Sequence, residues 1–393
     1  MPMHMFREDD IHALLKNRQL KSPVVSIYLN TDRGSAAGRS IDVSLQHLEK
    51  DALTMLHRDL TPESEAAREI LKERVMPQIR EFLEREVMTV PAIRGVAAFA
   101  SLAGGVSGTH MVTIYTLPRP VRSNVFIDLH PVVRPLLLLL DQYERYAVIA
   151  VDRKRARFFT VFLGELEEHE ELTSDTPQRT SQGGWAQGRF QRHVDDHIDR
   201  HVGAIVERAE KILASLPTHR ILLGGDADMI PRLRDALSTP LAERVVGKFR
   251  LDVHGSIHEI RERTLAAARE VEAAEETKVV QALRDAAAHR GGYGVTGLER
   301  TLAALTRRDV RTLVVQIGFE SPGSVCPNCL ALLPPTPLCP HCRARTAPTH
   351  DIVEHAIERA ETERAHIEFV EDDTDLMALG HIGAILRFPV EAG

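Results

Sequence analysis

The chain has 393 residues, a formal net charge of −7 and 43% hydrophobic residues, a composition typical of a globular protein with more than one domain. The acidic balance argues against RNA binding over the whole surface, so any RNA contact must come from local basic segments. Residues 1–10 lack the apolar run of a secretory signal. The most apolar stretch, residues 132–140, is far shorter than the roughly twenty residues that span a bilayer. We therefore expect a cytoplasmic protein without membrane contact.

The predicted elements of the N-terminal region alternate between helices and strands, which indicates an α/β domain over residues 1–130. The expected helices are residues 9–17, 42–60 and 63–87. The expected strands are residues 24–29, 95–101, 110–116 and 124–129. The leucine run that follows, between Pro131 and Asp141, suits a buried helix.

A second α/β domain is predicted over residues 140–256. Its expected strands are residues 146–151, 158–163, 165–173 and 220–223, and its expected helices are residues 189–216 and 229–237. A polar loop, residues 174–188, separates the third strand from the long helix. The Gly224-Gly225-Asp226 sequence after a buried strand is interpreted as an ordinary strand-to-helix turn rather than a small-ligand site.

A third α/β domain, residues 257–393, begins with a long charged helix over residues 257–288 that ends in a basic turn and two glycines. Further helices are expected at residues 297–305 and 350–365. The strands are expected at residues 311–316, 366–370 and 384–388. A cysteine insert, residues 322–346, interrupts this domain.

The insert contains all four cysteines of the chain as two Cys-x-x-Cys pairs: Cys326, Cys329, Cys339 and Cys342. Two such pairs can direct four thiolates at one ion, which predicts a closed, structural zinc (Zn2+) site. The alternatives are a redox dithiol, which would need a single pair at a helix start, and a site in which His341 replaces one cysteine. The proline-rich surroundings favour zinc.

Residues 176–192 read TPQRTSQGGWAQGRFQR and form a local basic segment without an acidic residue. Its arginines are Arg179, Arg189 and Arg192. Glycines allow close approach to a ligand, and the N-terminus of the following helix favours an anion such as phosphate. The alternative is a solvated, flexible loop. The segment is not a P-loop, because the Gly-Lys-Ser/Thr ending is missing.

The same segment resembles a known family. The Gly-Gly pair at 183–184, followed by Arg-Phe at 189–190, resembles the Gly-Gly-Gln loop of archaeo-eukaryotic class-one release factors, although Trp185 stands where that family has glutamine. The residues at 184–188, Gly-Trp-Ala-Gln-Gly, are similar to the Gly-x-Ala-Gln-Gly loop of the peptidyl-tRNA hydrolases of ribosome quality control. By that resemblance, Gln187 is the functional glutamine.

The resemblance extends over roughly residues 140–393. A middle α/β domain with this loop, and a C-terminal α/β domain with a cysteine insert and the ending GHIGAILRF at 380–388, resemble the release-factor and Pelota arrangement. The resemblance therefore implies a three-domain, release-factor-like α/β architecture. The first 130 residues match poorly and contain no counterpart of the Asn-Ile-Lys-Ser motif that reads stop codons.

The resemblance implies codon-independent hydrolysis of peptidyl-tRNA in the peptidyl-transferase centre of the ribosome. The implied catalytic residues are Gln187, Gly183 and Gly184. The implied RNA-binding residues are Arg179, Trp185, Gly188, Arg189 and Arg192. Trp185 either stacks on a base or is a hydrophobic anchor within the loop. The implied partners are ribosomal RNA at the A site, peptidyl-tRNA and a translational GTPase such as an elongation factor.

Two other functions remain open at this point. The first is a non-catalytic ribosome hibernation factor of the Balon type, which occupies the A site and cleaves nothing. The tryptophan at the usual glutamine position and the missing stop-codon motif favour it. The second is a zinc-ribbon nucleic-acid binder outside translation, which fits the cysteines but not the acidic balance or the domain order.

Two further clusters have alternative interpretations. His193, His197 and His201 are spaced to share one helix face near Asp196 and Asp199, and we interpret that face as solvated or RNA-facing rather than as a metal site. A basic cluster, Arg153, Lys154, Arg155 and Arg157, is either an RNA contact or an ordinary charged hairpin end.

Overall fold

In the computed structural model, the chain divides into two compact units. The first unit comprises Met1–Asp141 and Glu276–Gly393, and the second comprises Gln142–Glu275. Not described are residues 1–5, 8, 17–22, 36–39, 58–61, 91, 103–111, 175–186, 217, 219, 289–290, 372–373 and 390–393. Side chains are also not described at residues 16, 62–63, 187–194 and 374. The predicted mixed α/β fold is confirmed.

The N-terminal part of the first unit is built on a four-stranded antiparallel sheet in the order β3-β2-β1-β4. Its strands are β1 (Val24–Asn30), β2 (Gly95–Ser101), β3 (Thr113–Leu117) and β4 (Asn124–Asp128). Its helices are α1 (Asp9–Lys16), α2 (Ile41–His57), α3 (Pro62–Ile70) and α4 (Met76–Phe82). Two π-helical turns, Leu71–Val75 and Leu83–Val87, make residues 62–87 one nearly continuous helical run, as predicted.

Alternation along β1 explains how this sheet is covered. Val25, Ile27 and Leu29 join the core formed with the helical run. The opposite face carries Ser26 and Tyr28, whose hydroxyls hydrogen-bond the backbone of residue 132: Ser26 Oγ accepts from Val132 N at 3.0 Å, and Tyr28 Oη donates to Val132 O at 2.5 Å. Two polar side chains on a buried face are therefore satisfied by the segment that leads out of this sheet.

The second unit has a five-stranded sheet in the order β7-β6-β5-β8-β9. Before it comes α5 (Arg134–Gln142), the helix predicted from the leucine run. The strands are β5 (Tyr146–Val151), β6 (Arg155–Phe162), β7 (Glu165–Thr173), β8 (Arg220–Gly225) and β9 (Val245–Arg250). The helices are α6 (Gln187–Ser215), α7 (Met229–Ala236), α8 (Thr239–Ala242) and the part of α9 (Ile257–Ala287) up to Glu275, the rest of α9 belonging to the first unit. Strands β5, β8 and β9 are parallel, whereas β6 and β7 form antiparallel hairpins.

Both faces of this sheet are covered, which is why β5 is apolar throughout. Ala147, Ile149 and Val151 pack in a core with α6 and α7. Tyr146, Val148 and Ala150 pack in the opposite core, where the first half of α9 lies. Strand β9 was not predicted from the sequence: its half-exposed edge position, with a glycine, a lysine and an arginine, weakens the apolar pattern.

Gly225, at the end of β8, has a backbone conformation that favours glycine. Its φ is +137°, and a Cβ there would lie 1.9 Å from the carbonyl oxygen of Val151. A Cβ added at Gly203, inside α6, would have no neighbouring atom within 4 Å. A methyl group would therefore clash with the backbone at Gly225 but would meet open space at Gly203.

We expect Gly225→Ala to lower the free energy of unfolding of this protein by about 2 kcal/mol or more, because the clash is with backbone and the φ is strained. The matched Gly203→Ala change is expected to raise it by about 0.5–1 kcal/mol, because alanine suits a helix interior. Urea-induced unfolding of the wild-type protein and of the two variants measures both changes in the free energy of unfolding. Equal effects of the two substitutions would contradict this account of Gly225.

The C-terminal part of the first unit has a four-stranded sheet in the order β10-β16-β11-β15. Its strands are β10 (Gly294–Thr296), β11 (Val310–Gln316), β15 (His366–Val370) and β16 (Ile382–Leu386). The main helices are α10 (Leu298–Arg307) and α11 (Ile352–Thr362), with a short α12 (Thr374–Ala378). A small sheet of β12 (Gly323–Val325), β13 (Leu332–Leu333) and β14 (Ala347–Thr349) contains the cysteine insert. Each of the proposed domains 1–130, 140–256 and 257–393 thus contains a sheet of its own, which supports that division as a proposal.

Within the first unit, Arg134 joins the N-terminal and C-terminal parts. Its guanidinium lies 3.2 Å from Asp351 Oδ2 and donates to the carbonyl of Phe319 at 2.9 Å. Its backbone N–H donates to Glu354 Oε1 at 3.3 Å. Burial raises the pKa of Glu354 to about 8; Arg134 opposes the rise, and Asp351 and Glu358 add to it.

A raised carboxyl pKa makes stability pH-dependent with a definite sign. Between the ordinary pKa of glutamate and about 8, the folded protein holds a proton that the unfolded chain has lost, so the free energy of unfolding falls as pH rises through this window. We expect Glu354→Gln to remove most of that slope and to be the more stable protein at pH 8. Denaturant unfolding at pH values from 5 to 8.5 tests this, and parallel curves for the two proteins would contradict it.

Candidate functional site

The predicted functional loop lies at the start of α6. Gln187 is the first residue of that helix, and Gly188, Arg189 and Arg192 follow within its first two turns. Gly183, Gly184, Trp185 and Arg179 lie outside the described residues. The structure therefore locates the backbone of Gln187, Gly188, Arg189 and Arg192. The roles of all eight predicted catalytic and RNA-binding residues stay predictions.

Helix α6 is 29 residues long, and its described side chains begin at Asp195. The core contacts are made by Ile198, Val202, Ile205, Ala209 and Leu213. Gln187 lies fourteen positions before His201, which corresponds to about 21 Å along a helix axis. The first N–H groups of a helix have no partner within it and carry partial positive charge. Gln187 therefore stands at a helix end, where the first backbone N–H groups point away from the helix.

A hydrogen bond joins the last described residue before the loop to the middle of α6. Ser174, the last described residue before the loop, has its Oγ 2.6 Å from His201 Nδ1, and its backbone N–H donates to the carbonyl of Lys154 at 2.7 Å. His201 is only 2% exposed. The predicted histidine face is therefore not solvated at this position: our interpretation was wrong for His201, because the third histidine of the stripe turns into the core beside Ile198 and Val202.

Burial lowers the pKa of His201, while the backbone carbonyls of Arg155 and Asp152 oppose that shift. The ring is therefore neutral at pH 7. His197, one turn earlier, is partly exposed, and the side chain of His193 is not described. Among the described residues these histidines do not gather with carboxylates into a metal-binding group.

Three of the four basic residues at the β5–β6 hairpin are paired with carboxylates. Arg157 is 8% exposed and forms a two-pronged pair with Glu168, with N–O distances of 2.7 and 2.8 Å. Arg155 pairs with Glu171 at 3.1 Å. Arg153 pairs with Asp228, as close as 2.5 Å. These pairs favour the hairpin interpretation over an RNA contact.

Sequence reasoning did not find an acidic edge at the carboxyl ends of the parallel strands. Asp152, Asp226 and Asp252 follow β5, β8 and β9, which end at one edge of the sheet. Burial, together with Asp152 and Asp228, raises the pKa of Asp226. The available signal was an aspartate directly after the buried strands β5 and β8. Gly224 and Gly225 are the last residues of β8, and the predicted strand-to-helix turn begins at Asp226, whose carbonyl accepts from the backbone of residues 229 and 230.

The four cysteines converge as predicted. Their sulfurs lie within 4.8 Å of one another, with Cys326 Sγ 3.4 Å from Cys342 Sγ and Cys329 Sγ 3.5 Å from Cys339 Sγ. Among the described residues, these cysteines are the one group of three or more side chains placed closely enough to share a metal ion. His341 is exposed and does not belong to this group. Four converging sulfurs can hold a metal ion.

The two Cys-x-x-Cys turns repeat the same backbone geometry. Leu330 N donates to the Cys326 carbonyl, and Arg343 N donates to the Cys339 carbonyl, both at 2.9 Å. The donor residue of each turn has a left-handed φ, 60° for Leu330 and 61° for Arg343. A hydrogen bond from the Asn328 side chain, together with hydrogen bonds from the Ala344 backbone and the neighbouring thiols, lowers the pKa of Cys342. Neither cysteine pair begins a helix, which argues against the redox dithiol.

The insert is packed against the helices of its own domain. The hydroxyl of Thr306 in α10 accepts from Leu332 N at 3.1 Å, and Arg359 in α11 donates to the Leu330 carbonyl at 2.7 Å. Cys326 and Cys339 are buried. Loss of the converging cysteines would therefore disturb α10 and α11 as well as the insert. Within the described part of the chain, no helix is long and apolar enough to cross a membrane.

Comparison with known proteins places the loop inside a recognised domain. Residues 131–269 match the model of "Bacterial archaeo-eukaryotic release factor family 10". The chain is 25% identical over 343 residues to peptide chain release factor subunit 1 of Methanococcus maripaludis (strain C7), with 83% of this chain and 78% of the relative covered. It is 23% identical to the same factor of Thermococcus sibiricus, with 90% and 95% covered.

Among solved structures, Dom34 of S. cerevisiae, described as a translation termination-like factor, aligns at 11% identity with a TM-score of 0.42, covering 76% of this chain and 80% of that one. A score this low supports no conclusion about the fold. The sequence matches show that the chain is release-factor-like: it is similar over most of its length to peptide chain release factor subunit 1. Its segment 131–269 is that of the bacterial family 10.

Proposed function

We propose that this protein acts on the ribosome and hydrolyses peptidyl-tRNA without reading a codon. The observation that carries the proposal is the position of Gly-Trp-Ala-Gln-Gly, residues 184–188, at the start of α6 within the family-matched segment. The relatives named peptide chain release factor subunit 1, matched over most of the chain, support a role in translation.

The chemistry assigned to Gln187 is orientation of water. The ester between a peptide and the terminal ribose is cleaved by water, and the transition state develops negative charge on the carbonyl oxygen. A glutamine amide cannot remove a proton at neutral pH, but it can hold a water by hydrogen bonds. The N–H groups at the start of α6, which have no partner within the helix, are suitable donors for the developing oxyanion.

The other loop residues would place Gln187 in an RNA cavity. Gly183, Gly184 and Gly188 keep the backbone narrow. The predicted phosphate contacts are Arg179, Arg189 and Arg192. Trp185 is assigned to a base or to the loop itself. Helix α6 would act as a rigid arm, because it places Gln187 about 21 Å from the anchored His201.

The metal of the cysteine group is proposed to be zinc. Four thiolates in two repeated turns are the ligand set that tetrahedral zinc prefers, and four protein ligands leave no open position for a substrate. The ion would therefore stabilise the insert. A translational GTPase such as an elongation factor is proposed as a partner from the family resemblance.

The alternative is a hibernation factor of the Balon type that occupies the A site and leaves the ester intact. Trp185 at the usual glutamine position and the absence of the Asn-Ile-Lys-Ser motif from the sequence favour it. The two functions differ in the ribosomes that they require. A hydrolase acts on ribosomes that carry peptidyl-tRNA, whereas a hibernation factor binds vacant ones.

Co-sedimentation tests the two functions together. Purified protein is mixed with vacant ribosomes or with ribosomes that carry labelled peptidyl-tRNA, and the pellets are assayed for protein and for acylated tRNA. The proposal predicts loss of acylated tRNA from the charged ribosomes. Binding to vacant ribosomes, with the acylated tRNA of the charged ones preserved, would instead establish the alternative.

A further inference from the structure

Arginines gather at the edge of the C-terminal sheet where β11 begins. Arg311 lies near the start of β11, Arg364 comes two residues before β15, and Arg387 directly follows β16. Strand β11 lies between β15, to which it is parallel, and β16, to which it is antiparallel. The start of β11 is therefore beside the start of β15 and the end of β16. Arg308, two residues before β11, joins the other three in a group that we call the arginine edge.

A bulge sets Arg311 apart from the regular strand. Val310 pairs with Leu386 and Thr312 with Ile385, so Arg311 is the extra residue on its side of the ladder. A bulge bends its strand and can re-aim a side chain. Arg311 is exposed, and its guanidinium has no hydrogen bond or ion pair with the part of the chain that the structure describes. It is therefore available to a ligand.

Arg364 and Arg387 are exposed as well. The Arg364 guanidinium also has no partner among the described residues. Arg387 is held by backbone contacts: its guanidinium donates to the Glu363 carbonyl at 2.9 Å, and its own backbone N–H donates to the Asp309 carbonyl at 2.7 Å. Because these acceptors are neutral carbonyls, they fix Arg387 at the edge without neutralising its charge.

Two carboxylates lie among the arginines. Glu363 is 11% exposed and is shared by Arg308, at 3.6 Å, and Arg359, at 3.8 Å. Asp309 lies 2.8 Å from Arg307. The hairpin arginines of the second unit, in contrast, each have a carboxylate of their own. Six arginines thus gather around two carboxylates and give this edge a surplus of positive charge: Arg307, Arg308, Arg311, Arg359, Arg364 and Arg387.

On one side the arginine edge continues into a segment without carboxylates. Arg359 donates to the Leu330 carbonyl at 2.7 Å, next to the first Cys-x-x-Cys turn. The segment 321–350, which includes this turn, contains neither Asp nor Glu. Glu361, two residues before Glu363, lies 3.5 Å from His12 and is engaged there. These neighbours therefore do not cancel the positive charge of the edge.

We propose that the arginine edge binds the phosphate backbone of RNA. The planar guanidinium presents paired N–H donors that match the oxygens of a phosphate group. Neighbouring strands are about 4.8 Å apart, so arginines at three of them span about 10 Å, which suits a chain of phosphates better than a single one. On a protein of net charge −7, RNA contact has to come from such a local surplus. The proposal concerns affinity for RNA and does not depend on hydrolysis at Gln187.

The test is equilibrium binding of a labelled single-stranded RNA of about 20 nucleotides to the full chain, followed by fluorescence anisotropy at a series of salt concentrations. The variant is Arg311→Gln with Arg364→Gln, because neither guanidinium has a partner in the described structure that the change would leave unpaired. The matched control is Arg263→Gln with Arg269→Gln. It removes the same net charge from exposed arginines of α9 in the second unit, which also have no described partner.

We expect the edge variant to bind the RNA at least about tenfold more weakly than wild type at low salt. The slope of log affinity against log salt should become shallower by about 1.4, because each lost contact with a single strand removes about 0.7. The control variant should stay within about twofold of wild type in affinity and keep its slope. All three proteins should have the same melting temperature, since the replaced side chains are exposed.

Equal RNA affinity and salt slope in the edge variant and wild type would overturn the proposal, and so would equal losses in the edge and control variants. Polyglutamate that displaces the labelled RNA as well as unlabelled RNA of equal charge does would instead assign the edge to an acidic protein surface. A protein that binds RNA through the edge but releases no peptide would contradict the proposed function alone. The two failures are therefore distinguishable.

Discussion

Replacement of Gln187 by alanine is expected to lower the rate of peptide release at least about a hundredfold, while binding to the ribosome stays nearly unchanged. The reason is that the amide would orient the attacking water only at the reacting ester, so its loss removes transition-state stabilisation and not affinity. The measurement is single-turnover release of labelled peptide from purified ribosome–nascent-chain complexes, with binding followed by co-sedimentation.

Gln191→Ala is the matched control for this experiment. Gln191 is the same residue type in the next turn of α6, and the family resemblance assigns it no role. We expect its release rate to stay within about twofold of wild type, as is usual for substitutions outside a reacting site. Unchanged release in Gln187→Ala would remove the catalytic assignment from this glutamine.

The second large effect is expected at the cysteine insert. Purified wild-type protein should contain one zinc ion per chain, and Cys326→Ser should contain much less, because a hydroxyl is a poor replacement for a buried thiolate ligand. Structural zinc contributes roughly 10–16 kcal/mol of apparent binding free energy in small zinc domains, so its loss should unfold the insert. Atomic emission gives the metal content, and thermal unfolding gives the stability.

His341→Ala is the matched control here, since His341 lies inside the second Cys-x-x-Cys turn but is exposed and outside the group of four sulfurs. It should retain the full metal content and the wild-type melting temperature. Metal-replete expression that yields wild-type protein without zinc would contradict the assignment. Equal metal loss in both variants would make the histidine a ligand and revise the ligand set.

Most of the strands and helices could be predicted because their apolar patterns are strong. The predicted strands at residues 95–101 and 146–151 agree with β2 and β5, whose buried residues are continuous. Five strands were missed. The three in the cysteine insert, β12, β13 and β14, are only two or three residues long. The other two, β9 and β10, are short or half exposed, and their pairing comes from neighbours distant in the sequence. Local pattern therefore failed where tertiary pairing decides the structure.

The candidate site could be predicted in part. The cysteine group followed from spacing alone, because two Cys-x-x-Cys pairs have few other arrangements that satisfy four thiolates. The burial of His201 could not be predicted from spacing. The spacing of three histidines shows that they share a helix face, but it does not show which part of that face packs in the core. The partner that explains His201, Ser174, is 27 residues away in the sequence.

The central claim is tested most directly by one release assay. Wild-type protein is added to purified ribosomes that carry peptidyl-tRNA and an empty A site, and free peptide is scored over time. The account predicts release that depends on the protein and needs no codon in the A site. Ribosomes that bind the protein while the ester stays intact would contradict it and leave occupation of the A site as the function.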